Sequence, residues 1–330
     1  MKLNINKTRS GFCFTALLAI CLLTVPASVF AQDSTAAATE EPVVKKVKPV
    51  KNTFQSIWII DNQTVMVPVK NTLEMDIMHR FGVIDKGYRD FWGLFAPSNI
   101  RIGINYSPIN NLNVGIGITK NNMMLDLSAK YAIIKQTKGK YPVSITYYGN
   151  MSINTKERDA ATIYDGSSIK HNTDRFFYFN ELIIARKVTE KLSVQIGPSV
   201  SHQNAVSGYY TKNDSTGKEI YYSMKNNHFA ISFSARYKLT NVTSLMVNYD
   251  QPITQHASNN PNPNLSFGFE FNTSSHSFQI FLGNYYNLNQ SQNNLFNHNN
   301  PFPYTDNVTN NKVRGGHFLI GFNITRLWNY

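Results

Sequence analysis

The side chains that could do chemistry in this 330-residue chain are charged residues at alternate positions of short apolar segments. Alternate positions of a strand lie on one face. A row of charges on that face can line a polar conduit and set its preference for solutes. It can equally form ion pairs across a narrow interior, because an unpaired buried charge is costly. Pairing is favoured for the single residues, and both roles stay open for the whole set: Glu74, Asp76, Arg80, Arg101, Asp126, Lys130, Arg236, Asp250 and Glu270.

Catalysis is the less favoured class of function. The eight histidines include none in a recognisable nucleophile motif, and neither Gly-x-Ser-x-Gly nor His-Glu-x-x-His occurs. Ser201 and His202 are neighbours in a predicted strand, so their side chains point to opposite faces and cannot form a pair. We therefore expect no enzyme, no catalytic residue, no cofactor and no metal, and a barrel lipid hydrolase remains the least favoured alternative.

The elements that must position the charged row are strands. Apolar residues alternate with polar ones from about residue 72 to the end, in roughly twelve segments of the length that a tilted membrane strand needs. Only the segment 176–188 is ambiguous, because both of its faces are apolar. The pattern predicts an all-β fold, a transmembrane antiparallel β-barrel of about twelve strands preceded by a short N-terminal hairpin.

The connections between the segments favour a membrane barrel over a soluble sandwich. Short links at 108–111, 136–141, 189–191, 240–243 and 272–275 alternate with mostly longer ones at 83–99, 154–174, 204–227, 251–264 and 284–314. Outer-membrane barrels have short periplasmic turns and long external loops, whereas a sandwich has no reason to collect its long loops at one end.

The last segment, residues 315–330, has the pattern of a strand with lipid on one face. Its larger side chains share one parity, and an aromatic pair stands at its end, where a membrane strand meets the headgroups. It resembles the terminal strand that the barrel-assembly machinery of bacteria reads. The predicted membrane-assembly residues are Phe318, Ile320, Phe322, Ile324, Trp328 and Tyr330.

The first residues predict export. Lys2, Lys7 and Arg9 precede an apolar run at 12–25, and Ala31 ends a small-residue cleavage site, as in a secretory signal peptide. Both cysteines lie in this segment, so the mature chain would carry no thiol. The expected organisation is a signal peptide at 1–31, a disordered periplasmic tail at 32–52, a hairpin at 53–71 and an outer-membrane barrel at 72–330.

The expected partners follow from that location. They are the lipid bilayer of the outer membrane and the barrel-assembly machinery. The formal charge of +12 in an exported protein does not argue for nucleic acid, and we expect none. The oligomeric state stays open. The hairpin at 53–71, with its turn at Asp61 and Asn62, is expected either at the periplasmic rim or inside the barrel.

Seven short motifs are shared with known proteins. They are Thr53-Phe54-Gln55-Ser56, His79-Arg80-Phe81-Gly82, Asp90-Phe91-Trp92-Gly93-Leu94, Ile100-Arg101-Ile102-Gly103, Asn113-Val114-Gly115-Ile116-Gly117, Pro142-Val143-Ser144 and Leu182-Ile183-Ile184-Ala185-Arg186-Lys187. Through them the chain resembles an uncharacterised outer-membrane β-barrel family of Bacteroidetes-type bacteria. The likeness runs from residue 53 to about 203 and more loosely to the end. It implies the barrel and the location but no activity.

Together these patterns predict a pore or transport-related barrel for small solutes. The alternative is a plugged barrel that acts as a surface scaffold or binds a ligand through its long external loops. The link at 284–314 suits such binding, because it is rich in asparagine with aromatic residues between.

Overall fold

The structure is a computed structural model that describes residues 48–157, 169–206, 208–212, 216–217, 219–256, 260–305 and 311–329. The predicted signal peptide and most of the predicted tail lie outside these ranges. Side chains are described in all of these ranges except 208–212 and 219–223.

Twelve antiparallel strands close into a barrel, as the alternating segments predict. Each strand pairs with the next one along the chain, and the last barrel strand pairs with the first. The barrel strands are β3 (Thr72–Val83), β4 (Asn99–Ile109), β5 (Leu112–Thr119), β6 (Met124–Ile134), β7 (Ser144–Asn154), β8 (Phe176–Lys187), β9 (Leu192–Gln203), β12 (Asn227–Lys238), β13 (Thr243–Pro252), β14 (Asn264–Asn272), β15 (His276–Gly283) and β18 (Leu319–Asn329).

Strand pleating gives the wall its two faces. Along β4, Ile102 and Ile104 are exposed on the outside, while Arg101 and Asn105 are buried on the inside. The same alternation runs through the other strands, so that isoleucine, phenylalanine and tyrosine cover the outer surface. An apolar outer band around a polar interior is the arrangement that a membrane barrel requires.

The two ends of the barrel differ in their connections. The links after β4, β6, β8, β12 and β14 are short, and we call that end the short-turn end. Nearly all links at the opposite end are long, and we call it the long-loop end. It carries β10 (Gly208–Lys212), β11 (Glu219–Ser223), β16 (Tyr304–Thr305), β17 (Lys312–Val313), the helix α1 (Gln290–Phe296) and 3₁₀ turns at Ile84–Asp90, Asn121–Met123 and Asn172–Arg175. No helix in the described ranges is long and apolar enough to cross a membrane.

A small hairpin precedes the barrel. It consists of β1 (Trp58–Ile59) and β2 (Asn62–Gln63), and its residues are buried. The chain on both sides of it contacts the short-turn end: the Val50 amide donates to the Gln136 carbonyl at 2.7 Å, and the Asn71 amide donates to the Ser107 carbonyl at 2.8 Å. The hairpin therefore enters the barrel from the short-turn end and returns to it.

We predict that deleting residues 315–330 prevents barrel formation, because β18 supplies the pairing of both β15 and β3. Without it, two strand edges stay unpaired in lipid, where unsatisfied backbone groups are costly. The measurement is the heat-modifiable mobility of the refolded chain in detergent electrophoresis. Deleting residues 33–47 is the control and should leave the mobility shift intact. A shift that survives loss of β18 would contradict the closure seen here.

Candidate functional site

All nine charged residues that the sequence places on the inner face are buried inside the barrel. They line the wall from the short-turn half, where Arg236 and Glu270 lie, to the long-loop half, where Arg101 and Asp126 lie, and we call them the charged belt. The structure adds two acids to them, Asp61 on the hairpin and Glu181 on β8. The ambiguous parity of the segment 176–188 concealed Glu181. The Ser232 hydroxyl donates to its Oε1 at 2.6 Å.

Arg101 is the centre of one half of this belt. Its Nη1 lies 2.5 Å from Asp76 Oδ1, and its Nε and Nη2 donate to the two oxygens of Asp126 at 2.9 and 2.8 Å. Gly117 makes room for this guanidinium, since a Cβ there would lie 2.2 Å from Nη2. One cation shared by two carboxylates, in a fork geometry that suits arginine, compensates the charge buried on three strands.

The turn of the hairpin is held by charged wall residues. The Asp61 carboxylate lies 2.6 Å from Arg80 Nη2, and Asn62 Nδ2 donates to Asp250 Oδ1 at 2.7 Å. Lys130 Nζ donates to Gln63 Oε1 at 2.8 Å. Three wall charges thus take partners from the hairpin, and these partners belong to a separate segment of chain.

Wall amides bind the hairpin backbone as well. Asn248 Nδ2 donates to the Ile59 carbonyl at 2.5 Å, and Gln279 Nε2 donates to the Trp58 carbonyl at 3.0 Å. Asn323 Nδ2 donates to the Ile60 carbonyl at 2.7 Å. The hairpin has only two residues in each strand, so the barrel wall supplies hydrogen bonds that a longer sheet would supply to itself.

The apolar inner face of β8 explains why its parity was ambiguous. Phe179, Ile183 and Ala185 point inward and pack with the hairpin in one buried apolar cluster. The hairpin contributes Phe54, Ile59, Ile60 and Val65 to that cluster. The inner wall of β8 is apolar because it contacts this segment of the chain, and not water.

The helix α1 fills the lumen from the long-loop end. All seven of its residues are buried, and Leu295 and Phe296 pack on Met124 and Phe177 of the wall. Gln290 Nε2 donates to the Asp61 carbonyl at 2.7 Å, so that the helix touches the turn of the hairpin. Two inserted segments, one from each end, meet inside the barrel.

Ser201 and His202 have the geometry that excludes a pair between them. Ser201 is buried and faces inward, whereas the His202 ring bonds Asn227 and Asn204 outside.

In the long-loop region, burial lowers the pKa of His256, and the nearby Lys225 ammonium lowers it further. Among the described residues, no three acidic, histidine or cysteine side chains are grouped as metal ligands.

The predicted assembly residues fall on the outer face of the last strand. Ile320, Phe322, Ile324 and Trp328 alternate along β18 with buried inward residues. Phe318 directly precedes the strand, and Tyr330 lies outside the described residues. The Arg326 guanidinium, the one charge on the outer face of this strand, lies 4.8 Å from the ring of Trp328.

Residues 54–328 match the family described as a membrane bound beta barrel domain (DUF5777). No curated protein matches the sequence.

Solved structures similar to the chain are membrane barrels. The NanC porin shares 10% identity, covers 78% of this chain and 99% of its own, and has a TM-score of 0.43. The KdgM porin shares 9% identity with coverages of 78% and 99% and a TM-score of 0.38. An outer membrane channel from Pseudomonas putida F1 shares 9% identity with coverages of 80% and 97% and a TM-score of 0.40.

We predict that Arg101→Met destabilises the barrel by about 3–5 kcal/mol, because Asp76 and Asp126 lose their shared cation inside the wall. The measurement is guanidinium-induced unfolding in detergent, followed by tryptophan fluorescence. Lys187→Met is the matched control, since it removes an ion pair whose carboxylate, Glu190, is exposed, and it should leave the midpoint unchanged. Equal effects of the two substitutions would show that the Arg101 network does not hold the wall.

Proposed function

Because the chain belongs to the family of membrane-bound β-barrel domains, we propose that it is a transport-related barrel for small solutes whose lumen is closed by two segments of its own chain. It is an outer-membrane β-barrel protein. The predicted signal peptide, cleaved near Ala31, and the predicted periplasmic tail support an orientation with the short-turn end in the periplasm and the long-loop end outside.

The observation that carries the proposal is the way in which the hairpin is held. Its turn and backbone bond polar wall residues at 2.5–3.0 Å, and each of these wall groups would bond water equally well in an open lumen. A wall of this kind does not need the hairpin for its own strand pairing. Removal of the hairpin therefore exchanges these protein partners for water, and removal of α1 as well leaves a hydrated conduit.

The charges of the wall predict the preference of that conduit. The barrel strands bury six carboxyls and four cations. The excess of acids favours cations over anions in the open lumen. The residues concerned are Glu74, Asp76, Asp126, Glu181, Asp250 and Glu270 against Arg80, Arg101, Lys130 and Arg236.

The same proposal holds that the barrel is not an enzyme. Most charged residues of the belt take part in ion pairs or in hydrogen bonds to the hairpin, Glu181 bonds Ser232, and both Glu74 oxygens are without a partner among the described residues. None of the bonds described for the belt joins a serine to a histidine. A plugged surface scaffold is the second candidate, favoured by the depth at which both inserted segments are buried.

The first test is conductance in a planar bilayer, with three signal-less proteins. The full chain and a chain lacking residues 33–47 should insert without steady current. A chain lacking residues 33–66 and carrying a glycine-serine linker in place of α1 should conduct, because both inserted segments are gone. Heat-modifiable mobility shows that each protein is folded. We call the chain that lacks both inserted segments the doubly opened barrel. If it inserts but carries no current, the scaffold is favoured. If all three proteins carry equal currents, the two segments do not close the lumen.

The second test uses the same opened barrel in a gradient of potassium chloride. The reversal potential should show a potassium-to-chloride permeability ratio above one, because carboxyls outnumber cations on the wall. Asp250→Asn should lower that ratio, since it removes a carboxyl that loses its partner Asn62 when the hairpin is absent. A preference for chloride, unchanged by the substitution, would contradict the charge argument.

A further inference from the structure

Three neighbouring strands carry no charge on the inner wall at the long-loop end. Their inward residues closest to that end, on β7, β8 and β9, are uncharged, and we call this surface the amide vestibule. All of its members are buried. They are Asn150, Ser152, Asn154, Phe177, Ser201 and Gln203.

The register brings these side chains together. Ser152 pairs with Phe177 across β7 and β8, and Phe177 pairs with Gln203 across β8 and β9. Phe177 on β8 thus lies between the amide and hydroxyl groups of β7 on one side and those of β9 on the other. Such a wall offers donors, acceptors and one aromatic face without any formal charge.

The helix α1 and its N-cap occupy the vestibule but bond only part of it. The N-cap residue Asn289 donates through Nδ2 to Asn150 Oδ1 at 3.1 Å and to Ser152 Oγ at 2.5 Å. On the β9 side of the wall, no hydrogen bond from Asn289 or α1 is found among the described residues. Among the described residues, Gln203 has no hydrogen bond at either amide atom, although the residue is 0% exposed.

Other buried polar atoms around the helix share that condition. Asn154 Nδ2 and Ser201 Oγ on the wall, and Ser291 Oγ and Asn293 Oδ1 on the helix, have no hydrogen-bond partner in the described part of the chain. Buried polar groups are nearly always paired, because an unmade hydrogen bond costs free energy. Such atoms also occur elsewhere inside the barrel, but here Asn154, Ser201 and Gln203 carry them on the wall that faces α1. These wall atoms can bond a ligand that takes the place of α1.

The cations close to this surface already have partners. Asn150 Nδ2 donates to Asp126 Oδ1 at 3.3 Å, and Arg101 bonds both oxygens of that carboxylate. Arg175 Nη1 donates to the backbone carbonyls of Asn154 and Lys156 at 2.9 and 2.5 Å, and Lys156 Nζ donates to Asn122 Oδ1 at 2.9 Å. Arg175 and Lys156 are thus hydrogen-bonded to carbonyl oxygens at the rim. His228 lies opposite Ser201 on the next strand, and its Nε2 bonds the Lys225 carbonyl at 3.1 Å. An anionic solute would therefore meet no unpaired lysine or arginine among the described residues of the vestibule.

We propose that the amide vestibule is a binding site for an uncharged, polyhydroxylated solute, a neutral oligosaccharide, which replaces α1 when the lumen opens. Sugar hydroxyls both donate and accept, so they pair with Asn154 Nδ2, Ser201 Oγ and the Gln203 amide, which α1 leaves unbonded. The apolar face of a sugar ring takes the place of Leu295 and Phe296 on Phe177. This inference rests on the proposed function, since it requires that α1 can leave.

The test uses the full-length chain in which a glycine-serine linker replaces residues 288–296. Isothermal titration calorimetry in detergent with maltohexaose should show saturable binding, weaker or absent in the unaltered chain. An acidic oligogalacturonate of equal length should bind more weakly than maltohexaose. No binding of maltohexaose, or binding of the acidic sugar as tightly, would overturn the proposal.

Gln203→Ala in that linker chain separates a binding role from a structural one. It should weaken maltohexaose binding about tenfold, the loss expected for one buried hydrogen-bonded group. It should leave the unfolding midpoint unchanged, because the amide has no partner in the described part of the chain. Asn113→Ala removes an amide of the short-turn end and should not alter binding. Unchanged binding in Gln203→Ala would refute the site.

Conductance separates this inference from the proposed function. If the doubly opened barrel conducts and maltohexaose neither binds nor blocks the current, only the vestibule proposal fails. If that barrel is silent but calorimetry detects Gln203-dependent binding in the linker chain, the vestibule stands and the transport proposal fails.

Discussion

The structure depends on one constraint: a barrel wall lined with charges must find partners for them once water is excluded. Seven buried carboxyls and four buried cations lie inside this molecule, counting Asp61 of the hairpin. Pairing within the wall accounts for the Arg101 group and for Arg236 with Glu270. Arg80, Lys130 and Asp250 instead take partners from the hairpin. For these three residues, closure of the lumen and the pairing of a buried charged group are therefore the same physical event.

The two inserted segments differ in the chemistry that holds them. The hairpin meets a charged and partly apolar wall, and it is fixed by one ion pair, by hydrogen bonds to its side chains and backbone, and by the cluster around Ile183. The helix α1 meets a neutral wall and leaves several polar atoms unbonded. The bond between Gln290 and Asp61 joins the two, so displacement of the helix removes one contact from the hairpin turn. The more weakly matched segment faces the long-loop end, where a solute would arrive.

Much of this arrangement is predictable from residue order, because a strand has a period of two. The parity of Ile100 to Tyr106 alone puts Arg101 inside, and the alternation of short and long links predicts the barrel and its two ends.

Alternation along a strand does not identify the inward face where the lumen contains protein instead of water. Glu181 escaped prediction because Phe179 and Ile183 on its face are apolar, and they are apolar because the hairpin packs there. The position of the hairpin itself depends on side-chain contacts more than 180 residues apart along the chain, such as Asn62 with Asp250 and Ile59 with Asn248, which no local pattern contains.

The central claim is that the hairpin lies inside the barrel, and Trp58 tests it most directly. The chain has three tryptophans, and Trp58 is the one on the hairpin, 4% exposed, with the Arg101 guanidinium 5.4 Å from its ring. In a Trp92→Phe, Trp328→Phe background, its emission should be blue-shifted and protected both from aqueous iodide and from brominated lipid. Quenching by iodide to the level of free tryptophan would place the hairpin in water and contradict the closed lumen.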